Sequence, residues 1–208
     1  NTSIEDFIKT CYDLRLDVVD FHQRAFESTD PAYLSSIKAL CLKYGLPIGY
    51  IGVSGLFHGT AAERAEHAAN AKQAVDLAAF LGSPIIRLFC ATVPEKNGDG
   101  EDTWPAMAAG YREVADYAAA KGIAVGLQNH PSTGDEMLHI RDETNRENFN
   151  FIMDTGQWVG SPGSSPRGET DSNIDFYNFM EQIVPHAMYI RTKFYKIESG
   201  KEEWLDYD

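Results

Sequence analysis

A repeated order of segments constrains this sequence more than any other feature. An apolar run of strand length is followed by a polar loop, an amphipathic helix and a glycine, after which the next apolar run begins. A glycine just past a helix adopts the left-handed conformation that ends it. The helix-ending glycines are Gly45, Gly82 and Gly122. At a helix start, Thr60 stands three residues before Glu63, which is the spacing of a capping box.

The hydrophobic periodicity predicts helices and strands that alternate along the chain. Helices are predicted at 3–15, 31–44, 60–81, 103–121, 135–147 and 174–184. Strands are predicted at 16–21, 46–53, 84–90, 123–128, 149–154 and 186–193. Runs such as 85–90 are apolar on both faces, as strands are in a parallel sheet covered by helices. The predicted class is therefore α/β.

Such a sheet can stay open and doubly wound, or it can close into a (β/α)₈ TIM barrel. The glycine-rich fingerprints of nucleotide-binding open sheets are absent from the sequence. Polar and ionisable residues instead follow almost every predicted strand, and a barrel gathers all strand ends around one mouth. These residues are Asp20, His22, Ser54, His58, Arg87, Gln128, His130, Asp154, Arg191 and Lys193. The pattern favours the barrel.

The predicted barrel is incomplete at both ends, because about six βα units are visible and a barrel has eight. We expect a strand before Asn1 and another after Asp208, and we interpret 204–208 as the start of a further helix. Residues 1–208 are then a single, partial TIM-barrel domain. Its two unpaired edges, beside the strands at 16–21 and 186–193, can template association into a homo-oligomer.

Composition limits the partners. The sequence has 18 Lys and Arg against 31 Asp and Glu, a net charge of −13, which disfavours nucleic acid and anionic lipid surfaces. No run approaches the roughly 18 apolar residues of a membrane span. Three scattered cysteines are expected to be buried thiols in a reducing compartment, and no signal peptide is visible, so we expect a cytoplasmic protein. They are Cys11, Cys41 and Cys90.

Residues two apart in a strand face the same side, so Gln128 and His130 share one face. Asp154 ends the apolar run 149–153, where a carboxylate is costly unless it is paired or binds a cation. The alternative for Asp154 is that it caps a turn. The alternative for His130 is that its segment is a strand end that runs into a turn.

Arg191 and Lys193 also share a face, and the alternative for them is a pair of exposed edge cations. Arg87 lies in the predicted strand 85–90, which is apolar on both faces. This position is equally compatible with a structural ion pair and with ligand binding. Two long polar loops follow strands, at 92–102 and 155–173. The first is interpreted as a surface loop, and the second as either a lid or a surface loop with Trp158 as an apolar anchor.

Five segments, each ending a predicted strand, carry a resemblance to the xylose isomerase-like TIM-barrel superfamily of sugar phosphate isomerases and epimerases. They are 16–20 (LDVVD), 85–89 with Arg87, 126–130 (GLQNH), 151–156 (FIMDTG) and 189–194 (YIRTKF). The resemblance implies a divalent metal held by Glu, Asp, His and Glu. Asp154 matches the Asp, whereas Gln128 stands where the first Glu is usual and Arg191 where the His is usual. We therefore expect no cofactor or a weakly bound Mn²⁺, Mg²⁺ or Zn²⁺ at Asp154 and Gln128, and an ion pair between Asp154 and Arg191.

The leading functional hypothesis is an isomerase or epimerase of a small carbohydrate or sugar phosphate, acting by proton transfer next to a carbonyl. His130, Asp154, Arg191 and Lys193 are the candidate catalytic residues. Asp20, His22, Arg87 and Gln128 are the candidate substrate-binding residues. The alternatives are a non-catalytic carbohydrate-binding barrel that has lost its metal and, disfavoured by the charge, an apurinic endonuclease.

Overall fold

The computed structural model describes residues 2–165 and 167–207, and its centre is a curved sheet of six parallel strands in chain order. The strands are β1 (Val19–His22), β2 (Ile48–Gly52), β3 (Ile85–Cys90), β4 (Ala124–Asn129), β5 (Phe149–Asp154) and β6 (Ala187–Arg191). The helices are α1 (Ile4–Asp13), α2 (Pro31–Tyr44), α3 (Ala61–Leu81), α4 (Thr103–Ala119), α5 (Gly134–Thr144) and α6 (Phe176–Ile183). The predicted α/β class and the strand–helix alternation are confirmed.

The sheet curls so strongly that side chains of its first and last strands meet inside it. The hydroxyl of Tyr189 on β6 donates a hydrogen bond to the Asp20 carboxylate on β1, at 2.9 Å. No ladder joins these two strands within the described residues, so β1 and β6 are the edges of the sheet. The architecture is an incomplete TIM barrel, as the sequence predicts.

The helices cover the outer face of the sheet, and a continuous apolar core fills the space between. Outward side chains of the central strands, such as Leu127 and Phe151, are fully buried there. Small residues let α3 approach closely, because Ala71, Ala74 and Ala78 face this core. Burial on this scale is the dominant favourable term in folding.

Local signals set the helix boundaries where the sequence predicts them. Thr60 and Glu63 form the predicted capping box at the start of α3, each side chain accepting from the other's backbone N–H. Gly45 and Gly82 end α2 and α3 with φ of 67° and 87°, in the left-handed region where a glycine carries no steric penalty.

The prediction of a helix starting at 204 is wrong for the described residues up to 207. A two-stranded antiparallel hairpin, β7 (Ile197–Glu198) and β8 (Lys201–Glu202), comes just before this segment. Its turn has φ of 52° at Ser199 and 82° at Gly200, a conformation that suits a two-residue hairpin. The Glu202 carboxylate accepts from the backbone N–H of Trp204, which holds the chain in a bend. Asp208 lies outside the described residues.

Two further observations concern membrane-spanning helices and the cysteines. Among the described residues, no helix combines the length and the apolarity that a membrane crossing requires. The three cysteines are free and buried, as predicted.

Candidate active site

The inward face of the sheet carries its side chains in two layers. The lower layer is mostly apolar and aromatic, and comprises Asp20, Tyr50, Ile85, Ala124, Ile152 and Tyr189. The upper layer lies at the carboxyl ends of the strands, and comprises His22, Ser54, Arg87, Gln128, Asp154, Arg191 and Lys193. The predicted convergence of the strand ends on one mouth is therefore present.

Gln128 is the centre of the upper layer and is fully buried. Its side-chain oxygen accepts from Nη1 of Arg87 at 3.1 Å and from Nη1 of Arg191 at 2.9 Å. Its amide nitrogen donates to Oδ2 of Asp154 at 3.1 Å. One neutral amide thus holds two guanidinium groups on one side and a carboxylate on the other.

Asp154 has no exposed surface, and its carboxylate is surrounded by donors. Oδ2 lies 3.4 Å from Nη1 of Arg191 and 3.6 Å from Nζ of Lys193, so the predicted Asp154–Arg191 ion pair is confirmed. Oδ1 accepts from the backbone N–H of Gly156 at 3.1 Å. Burial raises the pKa of Asp154 above its ordinary value, and Lys193, the Gly156 N–H and Arg191 oppose this rise.

Asn129 fixes the position of Asp154 from the outer side of the sheet. Its side-chain amide donates to the backbone oxygen of Asp154 and accepts from the backbone N–H of the same residue, both at 2.9 Å. These bonds join β4 to β5 just where the ladder between them ends. The Asp154 carboxylate is therefore held on a rigid element, as a binding or catalytic group requires.

Arg87 is buried, and its guanidinium lies between aromatic rings. Its Cζ is 4.2 Å from the ring centre of Phe89 and 5.4 Å from that of Tyr50, both within the range of cation–π attraction. Burial lowers the pKa of Arg87, but an arginine stays charged in proteins. Its Nε has no hydrogen-bond partner among the described residues.

Gly52 makes the room that the Arg87 guanidinium occupies. A Cβ at this position would lie 2.7 Å from Nη2 and 3.1 Å from Cζ of Arg87. Any larger residue at Gly52 would displace the guanidinium from its place above the lower layer.

His22 lies at the mouth beside β2. Its Nδ1 accepts from the backbone N–H of Arg24 at 3.2 Å, so in the neutral ring the proton is assigned to Nε2, which donates to Oγ of Ser54 at 3.1 Å. Burial, followed by the nearby charge of Arg87, lowers the pKa of His22. The imidazole is therefore neutral at pH 7.

His130 stands at the exposed rim of the mouth, with its ring edge-on to Phe89 at 4.7 Å between ring centres. Its backbone N–H donates to the oxygen of Cys90 at 2.6 Å, which anchors the end of β4 to β3. Partial desolvation lowers the pKa of the His130 ring, so it too is neutral at pH 7 and can accept a proton.

Asp20 lies one layer below most of the other candidates, although the charges of Arg191 and Arg87 still act on its carboxylate. It lies in the lower layer, where its carboxylate accepts from the Tyr189 hydroxyl at 2.9 Å and from the backbone N–H of Tyr50 at 3.2 Å. Burial raises the pKa of Asp20. Its predicted contact with substrate stays a prediction, and the observed contacts give it a bridging role between β1, β2 and β6.

Trp158 anchors the loop that follows β5, as predicted. The indole is fully buried and packs against Phe179 of α6, with ring centres 5.9 Å apart. The Tyr195 hydroxyl donates to the backbone oxygen of Gly156 at 2.8 Å. The first part of the loop is therefore packed against the fold, next to Asp154.

Sequence reasoning missed several residues of the inward face. Tyr50, Gly52, Phe89 and Tyr189 line the mouth or the layer below it. Strand parity could have found them, because Gly52, Phe89 and Tyr189 each lie two residues from a singled-out inward residue of the same strand or its extension. Tyr50 lies four residues from Ser54 and therefore has the same parity. They were passed over because aromatic residues and glycines in strands are most often structural.

The donor set of the upper layer does not fit a divalent cation. Among residues 2–165 and 167–207, no three His, Cys, Asp or Glu side chains come close enough together to hold a metal ion. Asp154 is the carboxylate of the layer, and it faces Arg191 and Lys193. Gln128, the other predicted ligand, uses its oxygen for two guanidinium groups. Two cations beside the same carboxylate repel a dication.

The sequence profile of the xylose isomerase-like TIM barrel family matches residues 9–198, which is most of the chain. The chain belongs to the xylose isomerase-like TIM barrel family. A comparison with curated protein sequences gives no significant match.

Several solved structures share the fold of the chain. A xylose isomerase domain protein from Planctomyces limnophilus superposes with a TM-score of 0.71 at 18% identity, over 88% of this chain and 67% of that one. A D-allulose 3-epimerase from Methylomonas sp., in complex with D-allulose, gives 0.69 at 20%, over 96% and 70%. A 3-keto-D-glucoside 4-epimerase from E. coli gives 0.66 at 13%, over 97% and 90%. The chain thus spans about two thirds of the length of the first two structures.

Proposed function

We propose that the chain carries the site of an isomerase or epimerase that moves a proton next to the carbonyl of a small carbohydrate or sugar phosphate. The observation that carries the proposal is the upper layer together with His130 at its rim, where neutral imidazoles stand near fixed cations at the carboxyl ends of parallel strands. This end of a barrel is where active sites are built. Solved structures that are similar to the chain include epimerases.

In this mechanism His130 removes the proton from the carbon next to the carbonyl. A general base works best with a pKa near the working pH, and the lowered pKa of His130 leaves its ring free to accept. Arg191 and Lys193 then stabilise the enediolate oxygen that becomes negative. Asp154 orients these two cations, since it lies within 3.6 Å of both. Return of the proton from His130 to the former carbonyl carbon, while the hydroxyl proton moves to the enediolate oxygen, gives isomerisation. Epimerisation results when water delivers a proton to the opposite face of the original carbon and His130 releases its proton to solvent.

The remaining mouth residues bind substrate in this proposal. His22 and Arg87 contact substrate hydroxyl groups from β1 and β3, while Gln128 joins the guanidinium groups of Arg87 and Arg191 through one oxygen. The substrate is a small carbohydrate, and the working protein is a cytoplasmic enzyme without a nucleic-acid or membrane partner. No step of the mechanism uses a metal, because the donor set does not fit one.

The test is solvent exchange. The chain is incubated in D₂O with a panel of five- and six-carbon ketoses and their phosphates, and NMR follows deuterium incorporation next to the carbonyl. His130→Gln should lower the exchange rate about 10²- to 10⁴-fold. His139→Gln is the matched control, since His139 packs against Trp104 in the helical layer, and it should leave the rate unchanged. A sugar that binds without any exchange would instead indicate a non-catalytic carbohydrate-binding barrel.

A further inference from the structure

The upper layer holds more positive than negative charge, in a chain whose net charge is −13. Arg87, Arg191 and Lys193 meet there, and Asp154 is the carboxylate that touches two of them. The carboxylate below is Asp20, which accepts hydrogen bonds from Tyr189 and Tyr50 and also interacts with the charges of Arg191 and Arg87. With Asp20 included, the three cations still outnumber the two carboxylates. Two guanidinium groups that share one neutral acceptor repel each other, and an anion between or above them removes that repulsion.

Arg87 retains an unused donor in this layer. The residue is 93% buried, since its exposed fraction is 7%, yet its Nε has no partner within the described residues. A buried N–H without an acceptor costs free energy, and such groups in native proteins call for a ligand, an ion or water. The guanidinium carbon lies 4.2 Å from the ring centre of Phe89 and 5.4 Å from that of Tyr50, and Nε lies 3.3 Å from the position that a Cβ of Gly52 would take. The unused donor is therefore packed between these rings and β2.

We infer that Arg87 and Arg191 form a binding subsite for an oxyanion, a carboxylate or phosphate group of the substrate. The assignment to substrate rests on the proposed function, and it narrows that function to acidic or phosphorylated sugars. For such substrates Arg191 binds the anionic group, and Lys193 remains to stabilise the enediolate oxygen. Guanidinium groups suit this task because their planar forks bind carboxylate and phosphate oxygens through paired hydrogen bonds. Gln128 sets the spacing of the two forks through its single oxygen, at 3.1 and 2.9 Å.

Gly52 is the specificity-determining position of this subsite. Its missing side chain provides the space that Nη2 and Cζ of Arg87 fill, because a Cβ would lie within 3.1 Å of both atoms. A methyl group there would move the guanidinium without changing any charge. The Gly52→Ala variant therefore separates the geometry of the subsite from its net charge.

The experiment measures binding of inorganic phosphate and of acetate to the full chain by titration calorimetry, in separate arms. We expect one phosphate or acetate per chain. Arg87→Gln should weaken binding about tenfold or more, as the loss of a charge-assisted hydrogen bond predicts. Gly52→Ala should weaken it as well, and circular dichroism confirms that each variant is folded. Arg146→Gln is the matched control and should leave anion binding unchanged. Arg146 lies just before β5, at the opposite end of the sheet, and pairs with Asp116 of α4.

The two arms distinguish the sources of the anion. Tighter binding of phosphate than of acetate supports a phosphorylated sugar, and the reverse order supports a sugar acid. Failure of both anions to bind the wild-type chain, or equal binding by the wild type and a folded Gly52→Ala or Arg87→Gln variant, overturns the inference. If only neutral ketoses exchange protons with solvent, and no phosphorylated sugar does, the inference is overturned while the proposed function stands. Anion binding without any proton exchange would support the subsite and contradict the proposed function.

Discussion

The outer and inner faces of the six strands come from the same short segments but carry different chemistry. On the outer face, Leu127 and Phe151 pack under the helices with no exposed surface. On the inner face of the same strands, Gln128 and Asp154 are equally buried but are surrounded by charges. Burial alone therefore does not distinguish a core from a site. The outer face stabilises the fold by its apolar area, and the inner face uses the resulting rigidity to hold charges in place.

Truncating the outer face should give the largest effect on stability. Phe151→Ala removes a fully buried ring, and we expect the free energy of unfolding to fall by about 3–5 kcal/mol. Chemical denaturation measures the loss. Phosphate affinity of the folded fraction should stay unchanged, because the ring faces away from the mouth. A loss of anion binding that exceeds the unfolded fraction would show that the two faces are not independent.

Changing the charge of the inner face should affect phosphate affinity more, and stability less, than truncating the outer face. Asp154→Asn puts amide donors against the amide of Gln128 and the guanidinium of Arg191, and we expect a cost of about 1–3 kcal/mol. The cost stays below that of Phe151→Ala because burial already penalises the carboxylate, as its raised pKa indicates. Phosphate affinity should rise, since a negative charge leaves the subsite. Unchanged or weaker phosphate binding by a folded variant would contradict this reading.

The contact between the first and last strands should have a smaller effect. Tyr189→Phe removes the hydroxyl that donates to Asp20 across the interior, and we expect a loss of about 1 kcal/mol. The pKa of Asp20 should rise further, because this hydrogen bond lowers it. Denaturation at neutral pH measures the stability, and NMR titration of the Asp20 carboxyl carbon measures the pKa. An unchanged pKa would mean that β1 and β6 do not meet in solution.

The smallest predicted effect is a pH dependence of stability at His22. Its pKa in the folded chain lies below the ordinary 6.5. Between the two values the unfolded chain binds more protons, so stability is full above pH 6.5 and falls as the pH drops through that window. Unfolding at pH 5 and 7.5 should show a weaker acid loss for His22→Gln than for the wild type, and equal losses would refute the prediction.

The sequence predicted the alternation of strands and helices, the barrel and most of the mouth because these depend on local rules. Hydrophobic periodicity, Gly45 and Gly82 at helix ends, and the Thr60–Glu63 capping box act over a few residues, and each is present in the structure. Gln128 and Asp154 were predicted at the mouth because each lies at the end of a predicted strand, and their side chains contact each other there. The hairpin before Trp204 was missed because the two-residue turn at Ser199 and Gly200 was not recognised.

Tertiary structure decided which of those inward residues touch. Gln128 binds Arg87 and Arg191 from strands 41 and 63 residues away in the chain, a convergence that depends on the curl and stagger of the sheet. The same curl placed Asp20 in the layer below the mouth, although it also ends an apolar run. Strand parity predicts whether a side chain points into or out of the barrel. Its position along the barrel axis depends on the tilt of the strands, and this position separates the site from the layer beneath it.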